Sequence, residues 1–146
     1  LGARAELVRD FEARRKIEAD RTRLGQVFLN LLQNAIEACA ELPERAHRIT
    51  VRTRDLRAGI SVEVEDTGPG VPAELRERIF APFVTTRPSG AGTGLGLYIV
   101  NQMVALHGGR LSLDSSADGG TTATVVLPRW RERCVSESSD TSLGAG

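Results

Sequence analysis

The amino-acid pattern predicts an α/β fold: a two-layer sandwich, with about three helices on one face of a mixed, mostly antiparallel sheet of about five strands. Three observations predict it. Apolar residues recur at Leu24, Val27, Phe28, Leu31, Leu32, Ala35, Ile36 and Cys39, the spacing of a helix held over several turns. Two pairs of short stretches alternate apolar and polar residues as neighbouring strands do, Ile49–Arg54 with Ile60–Asp66 and Leu111–Asp114 with Thr121–Leu127. Between those pairs, Leu95 to Leu106 returns to helical spacing.

Each element has its own start and stop signals. Leu1 to Asp20 reads as two extended pieces, around Ala5–Phe11 and Arg15–Ala19, joined by a charged link. Asp20 stands where an N-cap belongs and Pro43 ends the long helical pattern. Arg57-Ala58-Gly59 supplies the turn of the first hairpin. After Asp66-Thr67-Gly68-Pro69-Gly70 the pattern predicts a short helix at about Ala73–Phe80, then a long loop rich in Pro, Thr, Ser and Gly from Pro82 to Gly94. His107-Gly108-Gly109 stops the second long helix, and the closing hairpin turns across Ala117–Gly120. Beyond Pro128 the composition is polar and Ser-rich, so residues 1–130 are expected to form one domain and 131–146 a disordered tail or linker.

Composition narrows the function. The 146 residues carry nineteen basic and nineteen acidic side chains, so no bulk field draws the chain to nucleic acid or to an anionic membrane. Cys39 and Cys134 have neither metal-ligand spacing nor the arrangement of a disulfide framework, which fits a reducing, cytoplasmic setting. No apolar stretch approaches the ~20 residues of a membrane span, although a parent protein could still be membrane-anchored.

Three segments carry chemistry. On the long helix, Gln26, Asn30, Gln33, Asn34 and Glu37 lie opposite the apolar stripe, an amide-rich face where a merely solvated surface would more often carry Glu, Lys and Arg. Asn30 and Asn34, one turn apart, can aim side-chain oxygens at a hard cation such as Mg²⁺. In the strand ending at Asp66, the two-residue period puts that carboxylate on the same face as Ile60, Val62 and Val64. An inward acid needs donors, either from the turn it caps or from a ligand such as the amino group of adenine, with Gly68 and Gly70 letting the backbone pass close to the ring. Third, Gly90-Ala91-Gly92-Thr93-Gly94-Leu95-Gly96-Leu97 runs into a helix, where free N–H groups and the helix dipole attract phosphate. Simple flexibility is the alternative for such a loop. It is neither a Walker A loop, lacking Gly-Lys-Ser/Thr, nor a Rossmann fingerprint.

Together, Asn30-Leu31-Leu32-Gln33-Asn34-Ala35, Asp66-Thr67-Gly68-Pro69-Gly70, Phe80-Ala81-Pro82-Phe83 and Gly92-Thr93-Gly94-Leu95-Gly96-Leu97 resemble, in order and spacing, the N box, first glycine box, F box and second glycine box of sensor histidine kinases. The resemblance covers about Ala3 to Pro128 and implies the Bergerat fold of the GHKL superfamily. It implies that Asn34 is the principal Mg²⁺ ligand with Asn30 in support, and that Asp66 reads adenine. It further implies that Phe80 and Phe83 open a mobile ATP lid, that Gly92, Thr93, Gly94, Leu95, Gly96 and Leu97 form its phosphate end, and that Thr121 supports Asp66. Arg87 stands where related sequences often have Lys and is a candidate phosphate contact; Ala123 replaces a residue that is often aromatic.

The resemblance also bears on the reaction. In related topoisomerase and mismatch-repair ATPases the position matching Asn30 is usually a water-activating Glu; an amide cannot take up a proton as a carboxylate does, so phosphoryl transfer is favoured over hydrolysis. The expected partners are ATP, a histidine-bearing dimerisation domain and, through it, a response regulator, with the isolated domain monomeric and its parent homodimeric. His47 and His107 lie in no helical acceptor motif and are expected to be structural or exposed. The alternatives are a serine kinase of the anti-sigma-factor type, disfavoured by the lid stretch and the helix after it, and a non-catalytic adenine-nucleotide-binding module, disfavoured by the intact Asn34, Asp66 and glycines.

Overall fold

The computed structural model describes residues 4–76, 78, 80, 96–116 and 119–129. They form five strands, β1 (Arg4–Phe11), β2 (Ala46–Asp55), β3 (Gly59–Asp66), β4 (Arg110–Ser116) and β5 (Gly119–Pro128), and three helices, α1 (Arg21–Ala40), α2 (Ala73–Arg76) and α3 (Gly96–Leu106). The sheet order is β1-β2-β3-β5-β4. Only β1 and β2 pair in parallel. A parallel pair needs a long crossover, and α1 provides it. The predicted mixed sheet with helices on one face is what forms.

α1 begins where its cap allows. Asp20 is extended, at φ −79° and ψ 109°, and its carboxylate accepts from the Arg23 N–H at 3.1 Å. Such a cap contributes about 1 kcal/mol. Leu24, Val27, Leu31, Ala35 and Cys39 then face inward at three- and four-residue steps. They meet Val100 and Val104 of α3 and, from the sheet, Ile49, Val64, Ala123, Val125 and Leu127. Ile36, part of the predicted apolar stripe, is instead 55% exposed, because the helix turns that side away from the sheet.

On the other face of the sheet, charges pair across strands: Glu6 with Arg48, Arg52 with Glu63 and Glu65, and Arg54 with Asp10. These pairs are half-exposed, so each contributes little to stability. They make that face a solvated one and leave the helix side and the sheet's ends to hold a ligand.

Two predicted elements are corrected. No strand forms at Arg15–Ala19. The backbone N–H groups that lead into it are satisfied one by one instead: Glu12 donates to the Thr53 carbonyl, Ala13 to Thr53 Oγ1, and Arg14 and Arg15 both to Asp55 Oδ1 at 3.0 Å. With those donors used, the chain leaves the sheet edge and runs to the cap of α1. The short helix after the first glycine box ends at Arg76 rather than near Phe80, with a tighter turn from the Arg78 N–H to the Leu75 carbonyl following it. The turn residues Ala117 and Asp118 of the second hairpin, and the stretch 131–146, lie outside the described residues.

Candidate functional site

Asp66 is the last residue of β3, and its side chain does face inward: it is 7% exposed. Its Oδ1 accepts from the Gly68 N–H at 2.8 Å, and the Thr121 N–H across the β3–β5 pair is a second donor. Burial nevertheless dominates, lifting its pKa to about 6 against the relief given by those two N–H groups. At neutral pH the group is therefore still a carboxylate. An ionised carboxylate offers about four lone-pair positions, and two N–H donors leave capacity for a ligand that donates.

The turn that follows Asp66 is held from both sides by close backbone contacts. A Cβ on Gly68 would lie 2.8 Å from the carbonyl carbon and Cβ of Ala38 in α1, so only glycine fits there. Gly120, at φ +84°, donates its N–H to the Gly68 carbonyl at 2.6 Å, and a Cβ on it would lie 2.7 Å from the Asp66 carbonyl oxygen. Further along, Val71 N–H donates to Ser115 Oγ at 2.8 Å. The first glycine box is thus clamped between α1 and the β4–β5 hairpin.

That clamp also joins the two predicted site segments. Ala38, which Gly68 touches, is one turn beyond Asn34 and two beyond Asn30, so all three share one side of α1. Asn34 is about 6 Å along the axis from Ala38 at 1.5 Å per residue. Both asparagines are half-buried, and Asn30 Oδ1 accepts from Gln26 Nε2 at 3.5 Å. The amide stripe therefore leads directly to the turn after the buried acid.

Other predicted site residues divide between placed and undescribed. Thr121 sits opposite Asp66 in the β3–β5 register. Gly70 adopts φ +87°. Phe80 and Leu97 pack against the edge of the core. Gly96 opens α3, and a Cβ on it would meet nothing within 4 Å. Phe83, Arg87, Gly92, Thr93, Gly94 and Leu95 lie outside the described residues, as does the lid itself.

His47 and Thr67 had no predicted part in the site, yet they adjoin it. The His47 ring is buried; Nδ1 lies 2.8 Å from Thr67 Oγ1 and Nε2 lies 2.7 Å from the Leu42 carbonyl. Only the alternation of β2, which turns His47 to the same face as Ile49, could have signalled this. His107, by contrast, joins two helices away from Asp66: its ring lies 2.8 Å from the Met103 carbonyl and accepts from the Asp20 N–H at 3.0 Å.

A buried acid heading a glycine turn, beside an amide-bearing helix and on this sheet order, defines a class of nucleotide-binding domain. Residues 19–131 match the family of histidine kinase-, DNA gyrase B- and HSP90-like ATPases, and the chain belongs to it, as an ATP-binding catalytic domain of the histidine-kinase type. Among its relatives, the C4-dicarboxylate transport sensor protein DctS of Rhodobacter capsulatus is 40% identical over 112 residues, covering 77% of this chain and 17% of that protein. The sensory histidine kinase/phosphatase NtrB of Rhizobium leguminosarum bv. phaseoli is 36% identical, covering 86% of this chain and 35% of its own length. The chain thus spans only a minor part of these sensor proteins. Among solved structures, the nucleotide-free catalytic domain of histidine kinase ThkA superposes with a TM-score of 0.73 at 35% identity, covering 86% of this chain and 80% of that one. Full-length ShkA in complex with AMPPNP gives a TM-score of 0.73 at 31% identity, covering 86% of this chain and 26% of that one.

Proposed function

We propose that this chain binds Mg-ATP at the Asp66 turn and the Asn30–Asn34 face, and delivers the γ-phosphoryl group to a histidine on a separate dimerisation domain of a two-component sensor. The observation that carries the reading is the buried, ionised Asp66, held by two backbone N–H groups and still able to accept a third hydrogen bond. Its match is an exocyclic amino group. Adenine presents one there, whereas guanine presents a carbonyl oxygen that would face the carboxylate without a proton between them. Thr121 supports Asp66 through its backbone.

Asn30 and Asn34 fit a Mg²⁺ that arrives with the nucleotide. Among the described residues no three His, Cys, Asp or Glu side chains converge on a metal position. Neutral amide oxygens on an accessible helix face suit a cation whose remaining ligands are phosphate oxygens and water. Bound there, the ion would offset charge on the phosphates as the terminal bond breaks. This chain's residues then act by positioning: Asp66, Gly68 and Gly70 at the base, Asn30 and Asn34 beside the phosphates, and the lid segment with Arg87 and Gly92 to Leu97 at the terminal phosphate. No carboxylate replaces Asn30 to activate water, so transfer to an imidazole nitrogen outcompetes hydrolysis. The phosphorus–oxygen bond to ADP breaks as the phosphorus–nitrogen bond forms, and the acceptor lies on the other domain. A response regulator then receives the group. Histidine kinase ThkA has been crystallised in complex with the response regulator TrrA; that structure is 32% identical to this chain, with a TM-score of 0.70.

The test is calorimetry with ATP and GTP in the presence of Mg²⁺, followed by transfer to an added acceptor domain. ATP should bind at least tenfold more tightly than GTP, a ratio that one lost hydrogen bond to a charged acceptor supports. Equal affinities would remove the role given to Asp66.

A further inference from the structure

We propose that His47 is a positioning residue for adenine recognition: by holding Thr67 it sets the turn that carries Asp66. The inference rests on the nucleotide-binding reading and adds a residue to it.

The hydrogen bonds fix the roles. The Leu42 carbonyl can only accept, so Nε2 carries a proton and donates to it at 2.7 Å. Thr67 Oγ1 accepts from the Arg48 N–H at 3.1 Å, which leaves the hydroxyl proton free to go to Nδ1 at 2.8 Å. The buried ring therefore spans from the start of the α1–β2 loop to the residue directly after Asp66. Arg48 N–H, Thr67 hydroxyl and imidazole form one chain of donors and acceptors with no partner wasted.

Four variants and the wild type separate the possibilities, each titrated with Mg-ATP by calorimetry at pH 8, with unfolding transitions recorded alongside. His47→Leu removes both ring contacts and should weaken ATP binding at pH 8 by about fivefold to tenfold. His47→Asn can still meet Thr67 from the Nδ1 position, so it should bind within about twofold of wild type. Thr67→Val should resemble His47→Leu, and Thr67→Ser should restore wild-type binding, which keeps the inference testable if His47→Leu does not fold. Unaltered affinity in both His47→Leu and Thr67→Val, or binding by His47→Asn as weak as that of His47→Leu, would overturn it. Failure of the wild type itself to bind ATP at pH 8 would instead defeat the nucleotide reading. In that event nitrogen NMR of the His47 ring still decides the positioning contact, which requires the proton on Nε2 and an accepting Nδ1.

Discussion

Replacing Asp66 by Asn should make the nucleotide-free domain more stable at neutral pH while removing its affinity for ATP. The folded carboxyl has a pKa of about 6, against 3.8 when exposed, because burial disfavours its charge. At about 1.4 kcal/mol per tenfold change in proton affinity, that difference corresponds to about 3 kcal/mol. The direction follows from proton counting. Between pH 4 and 6 the folded state binds more protons here than the unfolded one, so stability falls as pH rises through that window. Above about pH 6 the whole penalty is present. Asn carries no charge and its amide oxygen can still accept from the Gly68 N–H, but its NH₂ would face the Thr121 N–H, a loss of about 1 kcal/mol. The net gain is therefore about 2 kcal/mol. Urea unfolding at pH 7 without nucleotide should show a midpoint higher by roughly 1 M. At ATP concentrations near a hundred times Kd the wild type should recover about 2.7 kcal/mol and draw level, whereas the variant should not respond. A variant no more stable than wild type at pH 7, or a wild type whose stability does not change between pH 4.5 and 7, would refute the reasoning.

Other perturbations test the clamp, the amide face and the cap. Gly68→Ala should destabilise the fold by about 1–3 kcal/mol, since the new methyl group would meet α1 backbone at Ala38 rather than a flexible side chain; a melting temperature within 1 °C of wild type would contradict the close packing. Gly120→Ala forces φ +84° on a residue with a Cβ and crowds the Asp66 carbonyl, so a cost of about 1–3 kcal/mol is expected in the same denaturation assay. Asn34→Ala should cut phosphoryl transfer to an added acceptor domain by about a hundredfold or more while leaving the circular dichroism spectrum unchanged; retained transfer would remove the metal role. Asp20→Ala should cost about 1 kcal/mol of stability, through the lost bond to the Arg23 N–H, with no effect on ATP affinity.

Much of this domain was legible in one dimension because the relevant signals are local and periodic. The stripe from Leu24 to Cys39 needed only helix geometry, and α1 starts at the expected cap. The two-residue period of β3 is enough to turn Asp66 inward, since a strand cannot swing one side chain out of alternation without a bulge. Amides in place of charges on α1 and glycines around a lone acid were likewise visible as residue types at odds with their positions. The failures were also physical. Arg15–Ala19 has strand-like composition, but its neighbours' donors were taken by Thr53 and Asp55, partners about forty residues away.

What the amino-acid order determined by itself was the element sequence, the inward acid and the family of chemistry, since each follows from periodicity or from residue type. Tertiary structure alone decided which elements touch. It brought Ala38 against Gly68, Gly120 against the Asp66 carbonyl and His47 against Thr67, contacts between residues 20 to 54 positions apart. It also decided the ionisation of Asp66, because the burial that raises its proton affinity is made by packing, and no residue's identity encodes how much water its neighbours will exclude.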